Sequence, residues 1–208
     1  MLLFKIPAWV NRHLFKGKDF KDLSKMELQD LKHRLSKFQT DDPEISIVIP
    51  AWNEGDNIYR TLSSLADMVT THRIELLVIN NNSTDHTREV LDTLGVTSHF
   101  QPMQGIAYAR EMGLELARGR YHLCADADTF YPPTWATSMV APMEKDPRVV
   151  GVYGRYSFLP PPGEGRLFLA IYEQLAGLLI RIRRAKREHI NFLGFNMGFV
   201  AEVGRQTG

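Results

Sequence analysis

The sequence predicts an α/β fold: an open, mostly parallel sheet flanked by helices and preceded by a helical leader. Three observations predict it. Apolar runs recur at Ile45–Pro50, Ile74–Ile79 and Tyr121–Ala125, as strands covered on both faces require. Segments of helical periodicity separate them, so strand and helix alternate through 45–128. Each run ends in a polar cluster, at 51–54, 80–85 and 126–128. Sheets of this kind bind ligands at the carboxyl ends of their strands.

Residues 1–44 read as the leader. Leu28, Leu31, Leu35 and Phe38 share one helical face, and Ser24 with Glu27 has capping-box spacing. Asp41-Asp42-Pro43 ends the helix. Met1 to Lys18 mixes Leu, Phe and Trp with Lys and Arg, and reads either as helix packed on the main domain or as a membrane-surface segment. After the strand at Ile45–Pro50 and its loop comes a helix with Ile58, Leu62, Leu65 and Val69 on its inner stripe. The second strand, Ile74–Ile79, runs into Asn80–Asp85, where Ser83 or Thr84 can cap a helix carrying Val90, Leu91 and Leu94. Val96–Phe100 reads as a third strand, Gly105–Arg118 as a helix, and Tyr121–Ala125 as a fourth strand.

The second half is less regular. Pro132 to Trp135 starts a helix reaching Met143, and Arg148–Phe158 alternates as a strand. Pro160–Gly163 is a break before an amphipathic or buried helix at Leu167–Ile182. That helix ends in Arg181, Arg183, Arg184, Lys186 and Arg187, which read as a solvated helix end. Contact with anionic lipid headgroups or an anionic acceptor is the alternative.

Composition narrows the function classes. The chain of 208 residues, 44% hydrophobic and 24% charged, suffices for one sizeable domain. A net charge of +1 argues against nucleic acid as a partner. The single cysteine, Cys124, excludes an internal disulfide and a multi-cysteine zinc site, and suits a reducing compartment. Met1 to Val10 is short, broken by Lys5 and Pro7, and lacks the features of a secretory signal. No apolar run is long enough for a transmembrane helix.

Asp126 and Asp128 are the chemically pointed pair. In extended chain, residues i and i+2 face the same side, so both carboxylates can converge beyond the fourth strand. Held that close, they repel unless a cation lies between them or one is protonated. Mg2+ or Mn2+ takes oxygen ligands and keeps substrate phosphates in its shell. A polar loop capping a helix is the other reading.

Four ordered motifs resemble family 2 glycosyltransferases, which are inverting, nucleotide-sugar-dependent enzymes of the GT-A fold. Ile47–Glu54 resembles the family's opening strand and P-x-Y-N-E loop, and Leu77–Asp85 its V-V-D-D/N-G-S-T-D segment. Gly105–Gly113 resembles G-x-x-x-A-R-N-x-G, and Leu123–Asp128 the F-L-D-A-D end of the metal strand. The resemblance implies that Pro50, Ala51, Trp52 and Glu54 line the nucleotide pocket, with Trp52 in place of the usual Tyr. Asn80 stands where the family has an Asp that binds base or ribose, which leaves the base open; Asn82 falls in the same donor loop. Arg110 matches the Arg near the diphosphate. Asp128 matches the direct metal ligand, and Asp126 the group that contacts ribose and metal shell. Gly194 and Asn196 match a segment near sugar and acceptor.

A GT-A domain at 45–208, behind the leader at 1–44, is thus expected. The catalytic base expected further on has no counterpart before Gly208, so the domain is expected to lack its C-terminal part. Glu188 and Glu202 are available, but nothing in the sequence places them at an acceptor. The implied partners are a UDP- or GDP-type donor and a glycan or lipid-linked acceptor, at the cytoplasmic face of a membrane with peripheral contact, or in the cytoplasm. The alternative is a truncated or inactive nucleotide-sugar-binding module without turnover. A dinucleotide-binding dehydrogenase needs G-x-G-x-x-G after the first strand, and a sugar nucleotidyltransferase a Gly-rich basic loop there. Ala51-Trp52-Asn53-Glu54-Gly55 supplies neither.

Overall fold

The computed structural model describes residues 6–161, 164–184 and 194–207. The leader contains a helical turn, α1 (Ala8–Asn11), short 3-10 turns, and α2 (Lys25–Leu35). The domain proper runs β1 (Ile45–Ala51), α3 (Ile58–Ala66), β2 (Ile74–Asn80), α4 (Thr87–Leu94), β3 (Ser98–Phe100), α5 (Ile106–Leu116) and β4 (Tyr121–Ala125). It continues with α6 (Trp135–Lys145), β5 (Gly151–Tyr153), α7 (Leu167–Arg184), β6 (Asn196–Val200) and α8 (Ala201–Thr207).

The strands form one sheet of order β3-β2-β1-β4-β6-β5. β3, β2, β1 and β4 are parallel, and β6 runs antiparallel to both β4 and β5. Ile45 lies opposite both Ile74 and Tyr121, so the central strands start level and end together at one edge. Ile47, Ile49 and Val78 are fully buried, which accounts for the unbroken apolar runs of the sequence. Below the site edge, the buried Glu75 carboxylate accepts hydrogen bonds from Ser46 Oγ (2.6 Å), Arg118 N (2.7 Å) and Arg118 Nε (2.8 Å). These bonds tie β1, β2 and the turn that launches β4 into one unit.

The leader shares this core. Ser24 and Glu27 form the expected capping box, and Leu31, Leu35 and Phe38 join the sheet residues in one apolar cluster against which Leu28 packs. In 6–18, Val10 is buried and Phe15 packs on Tyr59 with ring centroids 5.4 Å apart. The apolar side of that stretch thus faces the domain, which argues against a membrane-surface role there; residues 1–5 lie outside the described residues.

Several expected elements change. α3 stops at Ala66, and Val69 is 69% exposed rather than on an inner stripe. Its N–H donates to the Pro133 carbonyl (2.8 Å), which draws the backbone out of the helix. Neither Ser83 nor Thr84 caps α4; Asp85 Oδ1 accepts from Thr87 N (3.0 Å) instead. The third strand shortens to Ser98–Phe100, and the strand expected over Arg148–Phe158 shortens to Gly151–Tyr153. β6, its only neighbour among the described residues, begins at Asn196, which pairs back to Gly154 N (2.8 Å) and ends the ladder. α7 is amphipathic but not buried: Phe168 is 83% and Leu175 60% exposed. Lys186 and Arg187 lie outside the described residues.

Candidate donor-binding site

The carboxyl ends of β1, β2 and β4 border a cleft of about 520 Å³. Pro50, Ala51, Trp52, Glu54, Arg110, Asp126 and Asp128 line it. Asn81, Gln104, Gly105 and Ile106 also line it and were not singled out by sequence reasoning.

The loop after β1 is held open by its neighbour. Asn53 adopts a left-handed backbone (φ 55°), a conformation Asn tolerates better than most residues. Its Oδ1 accepts from Thr84 N (2.8 Å), and its own N–H donates to Ser83 Oγ (3.0 Å). Glu54 N donates to Thr87 Oγ1 (2.9 Å) and Gly55 N to Asp85 Oδ2 (3.0 Å). These bonds fix the backbone that follows Trp52, whose side chain is left 53% exposed at the cleft. An exposed indole held by a rigid loop is suited to stack on a flat ring.

The three consecutive asparagines divide their roles. Asn80 is buried, and its Oδ1 accepts from Ser83 N (3.1 Å), so it shapes the turn. Asn82 is exposed in a left-handed conformation (φ 58°). Asn81 is the one that borders the cleft, with Oδ1 accepting from Gly105 N (2.8 Å) and Nδ2 donating to Met103 O (2.6 Å). The structure therefore brings Asn81, not Asn80 or Asn82, to the cleft lining.

Asp126 and Asp128 leave β4 on a loop with a fixed backbone. Tyr131 Oη accepts from Asp126 N (2.8 Å) and donates to the Phe195 carbonyl (2.9 Å), and Thr61 Oγ1 donates to the Ala127 carbonyl (2.8 Å). Asp126 is half-buried and Asp128 exposed. Arg110, from α5, has a nitrogen 3.7 Å from Asp126 Oδ1. Burial raises the Asp126 carboxyl above its ordinary value, Arg110 lowers it, and Asp128 raises it again. Burial also raises Glu54, opposed by a hydrogen bond from Asn57 and reinforced by Asp128, Asp85 and Asp126. The cleft thus concentrates carboxylates beside one guanidinium.

This donor set fits a hard divalent cation shared with a phosphorylated ligand. Mg2+ and Mn2+ favour carboxylate oxygens, and bound charge would relieve the repulsion around Asp126 and Glu54. Among the described residues no group of three His, Cys, Asp or Glu is placed to enclose a metal; phosphate oxygens of a ligand are one source of the further oxygens such an ion takes. Arg110 Nε is buried without a hydrogen-bond partner, which a phosphate oxygen would supply.

Gly194 and Asn196 are not among the residues that line the cleft. A side chain at Gly194 would collide with the Arg110 guanidinium. Asn196 pairs with Ala125 across β4 and β6. Its Oδ1 accepts from Trp135 Nε1 (2.9 Å) and its Nδ2 donates to the Arg155 carbonyl (2.9 Å), so both ends of its amide are engaged.

Residues 46–203 match the family model described as Glycosyl transferase family 2. The chain belongs to this family. Curated members similar to this family 2 chain include YibD, an uncharacterized glycosyltransferase of Escherichia coli strain K12. It is 32% identical over 109 residues, covering 50% of this chain and 31% of that protein. Another is WfaP of Escherichia coli, a UDP-Glc:alpha-D-GlcNAc-diphosphoundecaprenol beta-1,3-glucosyltransferase, 30% identical over 116 residues, covering 54% of this chain and 45% of that protein. Among solved structures, the mannosyltransferase PcManGT from Pyrobaculum calidifontis, in complex with GDP-Man and Mn2+, shares the fold. Its TM-score is 0.60 at 20% identity, covering 88% of this chain and 53% of that one. Glucosyl-3-phosphoglycerate synthase from Mycobacterium tuberculosis, in complex with UDP, gives a TM-score of 0.58 at 20% identity over 87% of this chain and 62% of that one. The family 2 chain therefore has the GT-A fold, and spans less than two thirds of each of these proteins.

Proposed function

We propose that the chain carries the donor half of a transferase that moves a sugar from a nucleoside diphosphate of UDP or GDP type to an acceptor hydroxyl, with inversion. The observation that carries this reading is the convergence of Trp52, Glu54, Arg110, Asp126 and Asp128 on one cleft at the carboxyl edge of the sheet. The names of similar proteins support it: WfaP uses UDP-Glc, and PcManGT was captured with GDP-Man and Mn2+.

Each residue has a part in this chemistry. Trp52 offers a face to the base. Arg110 neutralises charge that builds on the diphosphate as the anomeric bond breaks. Asp126 and Asp128 would hold Mg2+ or Mn2+, which when bound supplies Lewis-acid stabilisation of the leaving diphosphate. Tyr131 keeps the Asp126 backbone fixed while charge develops. Removal of the acceptor proton needs a base on the opposite face. Glu202 is exposed on α8, where its carboxylate accepts from Gln206, and Glu188 lies outside the described residues; neither is assigned that part. The acceptor class in this reading is a glycan or a lipid-linked sugar, which the name of WfaP supports, and the proposed place of work is the cytoplasmic face of a membrane.

Release of UDP or GDP from the corresponding nucleotide sugars, with Mn2+ present, tests the reading. Release that depends on Asp126 and Asp128 is expected. Donor binding without any release by the full-length protein would favour a binding module instead.

A further inference from the structure

We propose that α7 is a docking surface for an anionic lipid bilayer, on which it lies with its axis in the plane of the headgroups. This goes beyond the transferase reading and does not depend on it. Phe168, Ile171, Tyr172, Leu175, Leu179 and Ile182 follow the i, i+3, i+4, i+7 spacing of one helical face, and each is at least half exposed, from 50% to 83%. At 1.5 Å per residue the stripe runs roughly 21 Å. Phe158 and Leu159, 43% and 38% exposed, add to the apolar surface beside it.

The helix is attached by its polar side. Arg166 is buried and forms an ion pair with Glu173 (2.7 Å), and donates to Ser157 Oγ (2.6 Å) and to the Phe158 carbonyl (3.2 Å). Glu173 also accepts from Phe158 N (2.8 Å). Only Ala170 in the helix is buried among the residues whose exposure is described. The contacts that fix α7 therefore leave its apolar face outward.

Charge selects the occupant. The sequence contains no Asp or Glu from Gln174 to Arg187, and the helix closes on Arg181-Ile182-Arg183-Arg184. A second copy laid along the stripe brings no available carboxylate, because Glu173, the single acidic residue of α7, is paired with Arg166. An anionic bilayer offers an apolar layer and negative headgroups to the same helix. No described helix is long and apolar enough to cross a membrane, so the helix lies on the bilayer rather than spanning it. The docked helix is tied through 155–158 to the start of β6, which pairs with the end of β4: Asn196 Nδ2 donates to the Arg155 carbonyl (2.9 Å), and the Tyr156 and Phe195 rings are 5.0 Å apart. If the transferase reading also holds, a lipid-linked acceptor would be presented on that side of the sheet.

Co-sedimentation of the 208-residue chain with vesicles tests this. The chain is expected to pellet with phosphatidylcholine–phosphatidylglycerol vesicles, to remain in solution with phosphatidylcholine alone, and to dissociate at high salt. The double variant Leu175→Ser with Leu179→Ser should bind about tenfold more weakly, with its circular dichroism and nucleotide binding unchanged. Should that variant misfold, Leu178→Cys with an environment-sensitive dye gives a second readout; a blue shift on mixed vesicles is expected. Cys124 is buried in β4, 5% exposed, and so offers the dye little access. Wild-type chain that stays in solution with every vesicle overturns the proposal. So does equal binding to neutral vesicles, or a dimer that the double variant dissociates while vesicle binding is absent.

Discussion

Burial raises the Asp126 carboxyl above its ordinary 3.8, Arg110 pulls it back, and Asp128 pushes it up again. The folded state therefore holds this proton more tightly than the unfolded chain does. Such a group stabilises the fold fully below pH 3.8, and that contribution is lost as pH rises through the folded value. At neutral pH the ionised group is a net cost. Asp126→Asn is predicted to raise Tm near neutral pH by on the order of 2 °C, with the difference shrinking as the pH falls towards about 4. A calorimetric scan series in pH checks this; a lower Tm at neutral pH would count against burial of a charged Asp126 as a cost to the fold. At the same scale, the sequence could mark Asp126 and Asp128 because residues i and i+2 of extended chain face one side, and Arg110 because its motif resembles the family's. It could not separate Asn80 from Asn81. Asn81 bonds to Gly105 and Met103, more than twenty residues on, while Asn80 bonds to Ser83 within the turn, and only the first of these brings a residue to the cleft. Asn196 was legible as important, but its hydrogen bonds to Trp135 and Arg155 are tertiary and leave no local pattern.

The elements of the first half follow local patterning closely, because β1, β2 and β4 are buried on both faces and their runs are continuous. Where a neighbour decides, patterning fails. β5 is short because β6 offers it few residues, and α3 ends early because Pro133 captures the backbone at Val69. The exposed face of α7 was equally hidden, since helical periodicity marks an apolar side without saying what covers it. Gly113 shows the reverse, a motif residue with a packing reason. A Cβ there would strike Val48 Cγ1, so α5 can lie close on β1 and bring Arg110 to the cleft. Gly113→Val is predicted to cost about 2 kcal/mol through overpacking, read as a lower urea midpoint. An unchanged midpoint would show that the helix can shift without penalty.

For the whole molecule, two buried histidines set the acid limit. His13 joins the leader to Ser63 (3.0 Å) beside Asp67, and His122 stacks on Phe199 with ring centroids 4.8 Å apart. Burial lowers both from 6.5 to about 4. A depressed histidine contributes stability that is present above pH 6.5 and lost as pH falls through about 4. A shift of this size corresponds to about 3 kcal/mol for each residue. That outweighs the opposite trend of Asp126 and Glu54, which are more exposed. Urea unfolding should weaken steeply from neutral to acid pH, and His13→Gln should flatten part of the slope. A profile that is flat in this window would contradict the buried-neutral assignment.

The central claim is that Asp126 and Asp128 make the cleft a metal-assisted diphosphate site. Isothermal titration of UDP and GDP into the chain, with and without Mn2+, in wild type and Asp128→Ala, tests it most directly. Binding of at least one nucleotide that strengthens with Mn2+ in wild type, and loses that dependence in Asp128→Ala, is the predicted result. Nucleotide affinity indifferent to both the metal and the substitution would contradict it.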